Sequence, residues 1–157
     1  AFWFGGEAWW LFDENAMSER YIMVDTWAWL ALYNTADQFH DLATVANDTL
    51  LDERRVFVTT NGILSETYTN LNRWASHKTT VEFGQTIQSI ARTGALEIIR
   101  VEVEDEEDAW VLFEKYDDLK GLSFNDCLTA AVMKRLEISE IFTGDKHFTV
   151  MGFVLTP

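Results

Sequence analysis

The sequence has one cysteine, Cys127, so no disulfide can close within the chain. That fits a reducing compartment, and a cytoplasmic location is the expectation. There is one proline, and the eight glycines are not gathered into a linker, so nothing divides the 157 residues into separate domains. No stretch reaches membrane-spanning length, none repeats another, and none is of low complexity. Basic residues are scarce too: 12 Lys and Arg stand against 26 Asp and Glu, for a net charge of −14. Such a chain lacks the broad basic surface that drives general nucleic-acid binding.

What is present suffices for a core, with 48% hydrophobic and 14% aromatic residues. Residues 1–16 differ in kind from the rest, holding three Trp, no Lys or Arg and no amphipathic period. Glu7, Asp13 and Glu14 break up any signal-like apolar run, so the stretch reads as a vector-derived or atypical leader before Met17-Ser18-Glu19-Arg20. A single domain over 17–157 is expected. Removing those three acids leaves 23 against 12 basic residues, or −11, so the acidity belongs to that domain.

From Arg20 onward, short apolar runs alternate with helical patterns. Tyr21–Val24, Val56–Thr59, Leu96–Val101, Ile141–Phe142 and Gly152–Leu155 read as strands. Between them, Trp27–Tyr33, Thr35–Glu53, a helix opened by Thr60-Asn61, Thr79–Arg92, a helix after the acidic run Glu102–Asp108, and one opened by Ser123 read as helices. Continuously apolar strands that alternate with helices argue for an α/β fold with a short parallel sheet covered on both faces. The acidic run reads as a solvated first turn complementing the helix dipole, and Cys127 as a small core residue.

Four acids stand apart by position. Asp25 follows the first strand, Asp145 follows the strand at Ile141-Phe142, Asp126 lies in the first turn of the Ser123 helix, and Glu66 is early in the helix leaving the second strand. Each has a bland role as a cap, turn or surface residue. All four, however, are expected at the carboxyl edge of one parallel sheet, where such folds place their sites. Packed carboxylates resist ionising together unless a cation joins them. With no Cys and no His at i, i+4 spacing, the set selects Mg²⁺ or Mn²⁺, ions that recruit phosphate oxygens, so a phosphodiester is the expected substrate.

Val24-Asp25-Thr26, Thr59-Thr60-Asn61 with Glu66-Thr67, Ser123-Phe124-Asn125-Asp126, and Phe142-Thr143-Gly144-Asp145-Lys146-His147-Phe148 together resemble the successive motifs of the PIN domain family, which includes the toxins of VapBC toxin–antitoxin pairs. The likeness covers nearly all of 20–157. It implies a three-layer α/β/α sandwich around a mainly parallel sheet and a Mg²⁺-dependent ribonuclease. It further implies that Asp25, Glu66, Asp126 and Asp145 are metal-site acids, with the hydroxyls of Thr26 and Thr143 behind them. Asn125 stands where the family often has Thr or Ser.

Charge bears on partners. Lys146, His147 and Arg73 are the candidates to touch an RNA backbone, and the substrate would be chosen by shape. The net charge of −11 suits a basic antitoxin segment, and a homodimer is also admitted. The rival reading is a non-enzymatic acidic module that holds a basic protein. A phosphatase with a nucleophilic Asp is weaker, because Asp25-Thr26-Trp27 lacks a second acid two residues on.

Overall fold

A computed structural model describes residues 19–157, so the expected leader over 1–16 lies outside the described residues. Five strands, β1 (Tyr21–Val24), β2 (Val56–Thr60), β3 (Leu96–Ile99), β4 (Glu140–Phe142) and β5 (Val154–Thr156), form one sheet in the order β3-β2-β1-β4-β5. Every neighbouring pair is parallel. All five residues of β2 and the last three of β1 are buried, as expected for strands covered on both faces.

The helices are α1 (Thr26–Tyr33), α2 (His40–Asp52), α3 (Asn61–Trp74), α4 (His77–Arg92), α5 (Val103–Lys115), α6 (Phe124–Arg135) and α7 (His147–Val150). Right-handed crossovers put α1–α4, which link β1 to β2 to β3, on one face and α5–α7, which lead back past β1 to β4 and β5, on the other. In agreement, α1 packs on α2 and α3, and α6 packs on α5 and α7. The core joins the layers through Ile22, Met23, Ile63, Ile87, Met133, Phe142 and Phe148, all fully buried. Burying each such side chain contributes about 1.5–3 kcal/mol. Helix α6 runs through the middle of its layer, with Cys127 and the whole stretch Thr129–Met133 buried.

Because the chain reverses its direction of travel at β1, the switch point lies between β1 and β4. Their register pairs Met23 with Ile141 and Val24 with Phe142, so Asp25 and Thr143 leave the sheet side by side. The Asp25 amide donates to the Phe142 carbonyl at 3.2 Å, which extends the ladder by one bond.

Several elements differ from the sequence expectation. The helix expected from Thr35 begins at His40, because Asn34 accepts from the Ala36 amide and Asp37 from the Phe39 amide, and both side chains hold turns instead. Leu42 in this helix is half exposed, whereas Ala43, Ala46 and Leu50 are buried. Helix α4 starts two residues early, capped by Ser76, whose hydroxyl accepts from the Thr79 amide. Strand β3 stops at Ile99 because the Val101 amide bonds Asn61 Oδ1 at 2.9 Å. The last strand starts later, at Val154, after a turn at Gly152 (φ 96°). The acidic run is not wholly solvated: Asp105 is 2% exposed and takes two bonds from Arg135, each 2.8 Å, so this acid ties α5 to α6. Among the described residues no helix is long and apolar enough to cross a membrane.

Candidate metal centre

Asp25 occupies the position before α1, yet its carboxylate makes no cap bond. It is 6% exposed and accepts a 2.7 Å hydrogen bond from Thr143 Oγ1, from the end of β4. Burial pushes its carboxyl up to about 7; the Thr143 bond and the Thr26 amide pull back, while the charges of Asp126 and Glu66 push further. The same Thr143 hydroxyl accepts from the Asp145 amide at 3.1 Å, so one side chain links two of the acids.

Asp126 does two things. With Ser123 it completes a capping box: its Oδ2 accepts from the Ser123 amide at 2.7 Å, and its own amide bonds Ser123 Oγ at 3.1 Å. Its carboxyl is nevertheless raised, first by burial and then by the charges of Asp145 and Glu66, which together outweigh the two Ser123 bonds. The box therefore does not offset the burial and the neighbouring charges. Asp145 begins the short turn into α7, its Oδ1 accepting from the His147 amide at 2.9 Å. Donor atoms of Asp126, Asp145 and His147 all lie within 4.8 Å of one another.

Glu66 comes from α3 on the other side of the crevice. Asn125, the residue before Asp126, reaches across with Nδ2 to donate to Glu66 Oε2 at 2.6 Å. A carboxylate only accepts, which fixes which way the amide points. Gly62 makes room for that side chain, since a Cβ there would lie 2.7 Å from Asn125 Oδ1. The sequence signal for this clasp was weak: 59 residues separate its partners. Thr26 donates its hydroxyl to the Ile63 carbonyl at 3.4 Å, and Thr67 donates to that same carbonyl at 2.8 Å, so Thr26 ties α1 to α3 behind the acids.

The expected RNA contacts fall in three different settings. Lys146 is exposed beside Asp145. Arg73 is exposed in the last turn of α3, seven residues on from Glu66 and so about 10 Å further along the axis. The His147 ring is turned toward the protein instead, with Nε2 2.9 Å from the Lys120 carbonyl and Nδ1 2.8 Å from Asp145 Oδ1. Burial lowers its imidazole, but the Lys120 carbonyl and the Asp145 and Asp126 charges prevail and raise it. Two arginines are taken up far from the acids, Arg135 by Asp105 and Glu102, and Arg55 by Glu140 and the Tyr21 carbonyl.

The acids thus converge beyond the carboxyl ends of β1 and β4. A cavity of about 480 Å³ lined by Leu30, Tyr33, Asn70, Leu71 and Trp74 opens at the far ends of α1 and α3, and none of the four acids lines it. Two carboxyls held above their ordinary range by burial and by the charges of neighbouring acids are what a divalent cation would relieve. Asp25, Asp126 and Asp145, with Glu66 opposite, are hard oxygen donors suited to Mg²⁺ or Mn²⁺.

Comparison with known proteins agrees with this geometry. The PIN domain pattern matches residues 22–154. The chain is 32% identical over 133 residues to the 23S rRNA-specific endonuclease VapC20 of Mycobacterium tuberculosis, covering 85% of this chain and 95% of the relative. The crystal structure of that sarcin–ricin loop cleaving toxin superposes with a TM-score of 0.73 at 31% identity, over 87% of this chain and 99% of the other. VapBC2 from Rickettsia felis, bound to a DNA fragment from its promoter, shares the fold at 18% identity and a TM-score of 0.63, over 86% of this chain and 96% of the other.

Proposed function

The chain belongs to the PIN domain family, and from that premise we propose that it is a divalent-metal-dependent endoribonuclease acting as the toxin of a toxin–antitoxin pair. The observation that carries this reading is the state of Asp25: a carboxyl buried at the sheet's switch point, pushed up to about 7 and crowded by Asp126 and Glu66. A buried carboxyl displaced by desolvation and by neighbouring charges, at a sheet's switch point, is a functional-site candidate. The Asp25 carboxylate caps no helix and, among the described residues, meets no cation that would offset its burial.

A bound Mg²⁺ or Mn²⁺ would supply a water of lowered pKa and offset charge on the phosphate. The chain's own residues do the positioning. Thr143 holds Asp25 and the Asp145 amide on one hydroxyl, Ser123 orients Asp126, and Asn125 holds Glu66 at the opposite lip. With few basic side chains near the acids, affinity comes from the shape of the RNA. The sarcin–ricin loop of 23S rRNA, the target of the relative at 32% identity, is the first substrate to try. The same acid cluster suits an antitoxin segment whose Arg pairs bidentately with a carboxylate and displaces the ion.

The test is cleavage of labelled RNA, including a ribosomal stem-loop, with Mg²⁺, with Mn²⁺ and with EDTA. Cleavage that needs the ion and is lost in Asp25→Asn supports the proposal. Cleavage in EDTA, or undiminished cleavage by Asp25→Ala, overturns it.

A further inference from the structure

His147 stands among the acids in a way that neither core packing nor phosphate contact explains. Its Nε2 is 2.9 Å from the Lys120 carbonyl oxygen. That oxygen can only accept, so Nε2 carries a proton. The loop supplying it turns at Gly121 (φ 85°), and a Cβ there would lie 3.5 Å from the ring. Nδ1 lies 2.8 Å from Asp145 Oδ1, an ion pair while the ring is protonated, and makes no other polar contact; a cation bound by that carboxylate would take the place of the proton and leave the Nδ1 lone pair facing it. Donor atoms of Asp126, Asp145 and His147 nonetheless fall within 4.8 Å of one another.

Metal-binding histidines are held in this way: one ring nitrogen donates to a backbone carbonyl, and that bond fixes the tautomer and aims the other lone pair. Ligand atoms about 2.1 Å from a shared ion are at most about 4.2 Å apart. Neighbouring ligands of such an ion lie roughly 3 Å apart, so donors within 4.8 Å of one another would meet it after side-chain rotations on the order of an ångström.

Resting on the metal reading above, we propose that His147 Nδ1 is a ligand of the ion held by Asp126 and Asp145, giving the site a nitrogen donor that favours Mn²⁺ over Mg²⁺. Imidazole suits first-row transition ions, whereas Mg²⁺ keeps to oxygen and water. His147 then belongs to the metal site, while Lys146 beside it stays free to face substrate.

Electron spin-echo modulation of Mn²⁺ bound to the full chain, grown with ¹⁵N-histidine or with natural abundance, reads the bond directly. The expected spectrum shows directly bound nitrogen that changes with the histidine label. His147→Gln can keep the bond to the Lys120 carbonyl but places no nitrogen where Nδ1 was. In that variant the coupling should vanish and calorimetric Mn²⁺ affinity should fall about tenfold or more, with Mg²⁺ affinity falling far less. Bound Mn²⁺ without histidine coupling overturns the inference and leaves the metal reading standing. Equal loss of both ions, or loss of neither, also overturns it. Absence of any bound Mn²⁺ sinks the metal reading and this inference together. Should the variant not fold, the isotope comparison on the unmutated chain still decides.

Discussion

Thr143 Oγ1 donates to Asp25 Oδ2 at 2.7 Å, joining the ends of two adjacent parallel strands that lie 118 residues apart in sequence. The bond stabilises the ionised form of a carboxylate that burial disfavours. Thr143→Val keeps the shape and removes the donor. With the metal removed, it should cost about 1–3 kcal/mol at pH 8, the cost of leaving a buried group unpaired. Thr143→Ser should recover most of that. Urea unfolding in EDTA measures it, and equal stability of the valine and serine variants would show that the hydroxyl does not support Asp25.

The position of Asp25 also sets a pH dependence. Its folded pKa, about 7, is above the ordinary 3.8, so between those values the folded state holds a proton that the unfolded state has released. Metal-free stability should therefore fall as pH rises from about 4 to about 7, by a few kcal/mol at most, and level off above. His147, also raised, adds a slope of the same sign as pH rises past its ordinary 6.5. Asp105, held below its ordinary range, loses its contribution only at more acid pH. Asp25→Asn should flatten the curve and be at least as stable as the unmutated chain at pH 8 in EDTA. A profile unchanged by that substitution would assign the slope to other groups.

How much of this was legible in the sequence depends on the range of the interaction. The strands β1, β2 and β4 and the helix opened by Ser123 were readable because each is a local pattern: an unbroken apolar run, or a cap followed by apolar spacing. The position of Asp25, Asp126 and Asp145 at one edge followed from that alternation. The contacts that tune them did not. Asn125 to Glu66, Thr143 to Asp25 and His147 to the Lys120 carbonyl join residues 59, 118 and 27 apart, and no periodicity records such pairs. Asp105 misled for a related reason. Within its run of acids it looks solvated, and only its partner Arg135, at the end of another helix, shows that it is buried.

That pair gives a prediction that separates fold from site. Asp105 takes the Arg135 Nε and Nη2 and the Glu102 amide, each at 2.8 Å. Asp105→Ala leaves Arg135, only partly exposed, with Glu102 and a long bond to the Arg100 carbonyl, and should cost about 3 kcal/mol, near the lower end for a broken buried pair. At roughly 2–4 °C per kcal/mol for a domain of this size, the melting temperature should drop by about 10 °C. Below the melt, metal affinity should be unchanged. A fall in Mn²⁺ or Mg²⁺ affinity at a temperature where the variant is folded would mean that this pair also supports the site.

Gly62 offers the converse. A Cβ at that position would meet Asn125 Oδ1 at 2.7 Å, and the neighbour that must yield is the side chain holding Glu66. Gly62→Ala lies within the first turn of α3, where alanine is the better helix former by about 1 kcal/mol. Stability should hold or improve while RNA cleavage drops about tenfold or more, as it does when a group that orients a metal ligand is lost. Calorimetric melting and a cleavage rate on the same preparation check both halves, and full activity would show that the Asn125 clasp on Glu66 is dispensable.

Asp126 decides whether the capping box or the metal site governs its carboxylate. Its Oδ2 accepts from the Ser123 amide at 2.7 Å, a bond an asparagine oxygen can also accept, while its charge stands against Asp145 and Glu66. Asp126→Asn therefore keeps most of the box and removes the repulsion. In EDTA the variant should be as stable as the unmutated chain or slightly more so, Mg²⁺ should stabilise it much less, and cleavage should be lost. If the carboxylate acts chiefly on the helix N-terminus, loss of its charge costs about 0.3–1 kcal/mol with or without the ion, and cleavage persists. Ser123→Ala is the control, because it removes the other half of the box for about 1 kcal/mol and leaves the acid in place. Thermal melts of the three proteins in EDTA and in Mg²⁺, beside an RNA assay, separate the two roles: an Asp126→Asn protein that is weaker in both buffers yet still cleaves would return Asp126 to the fold.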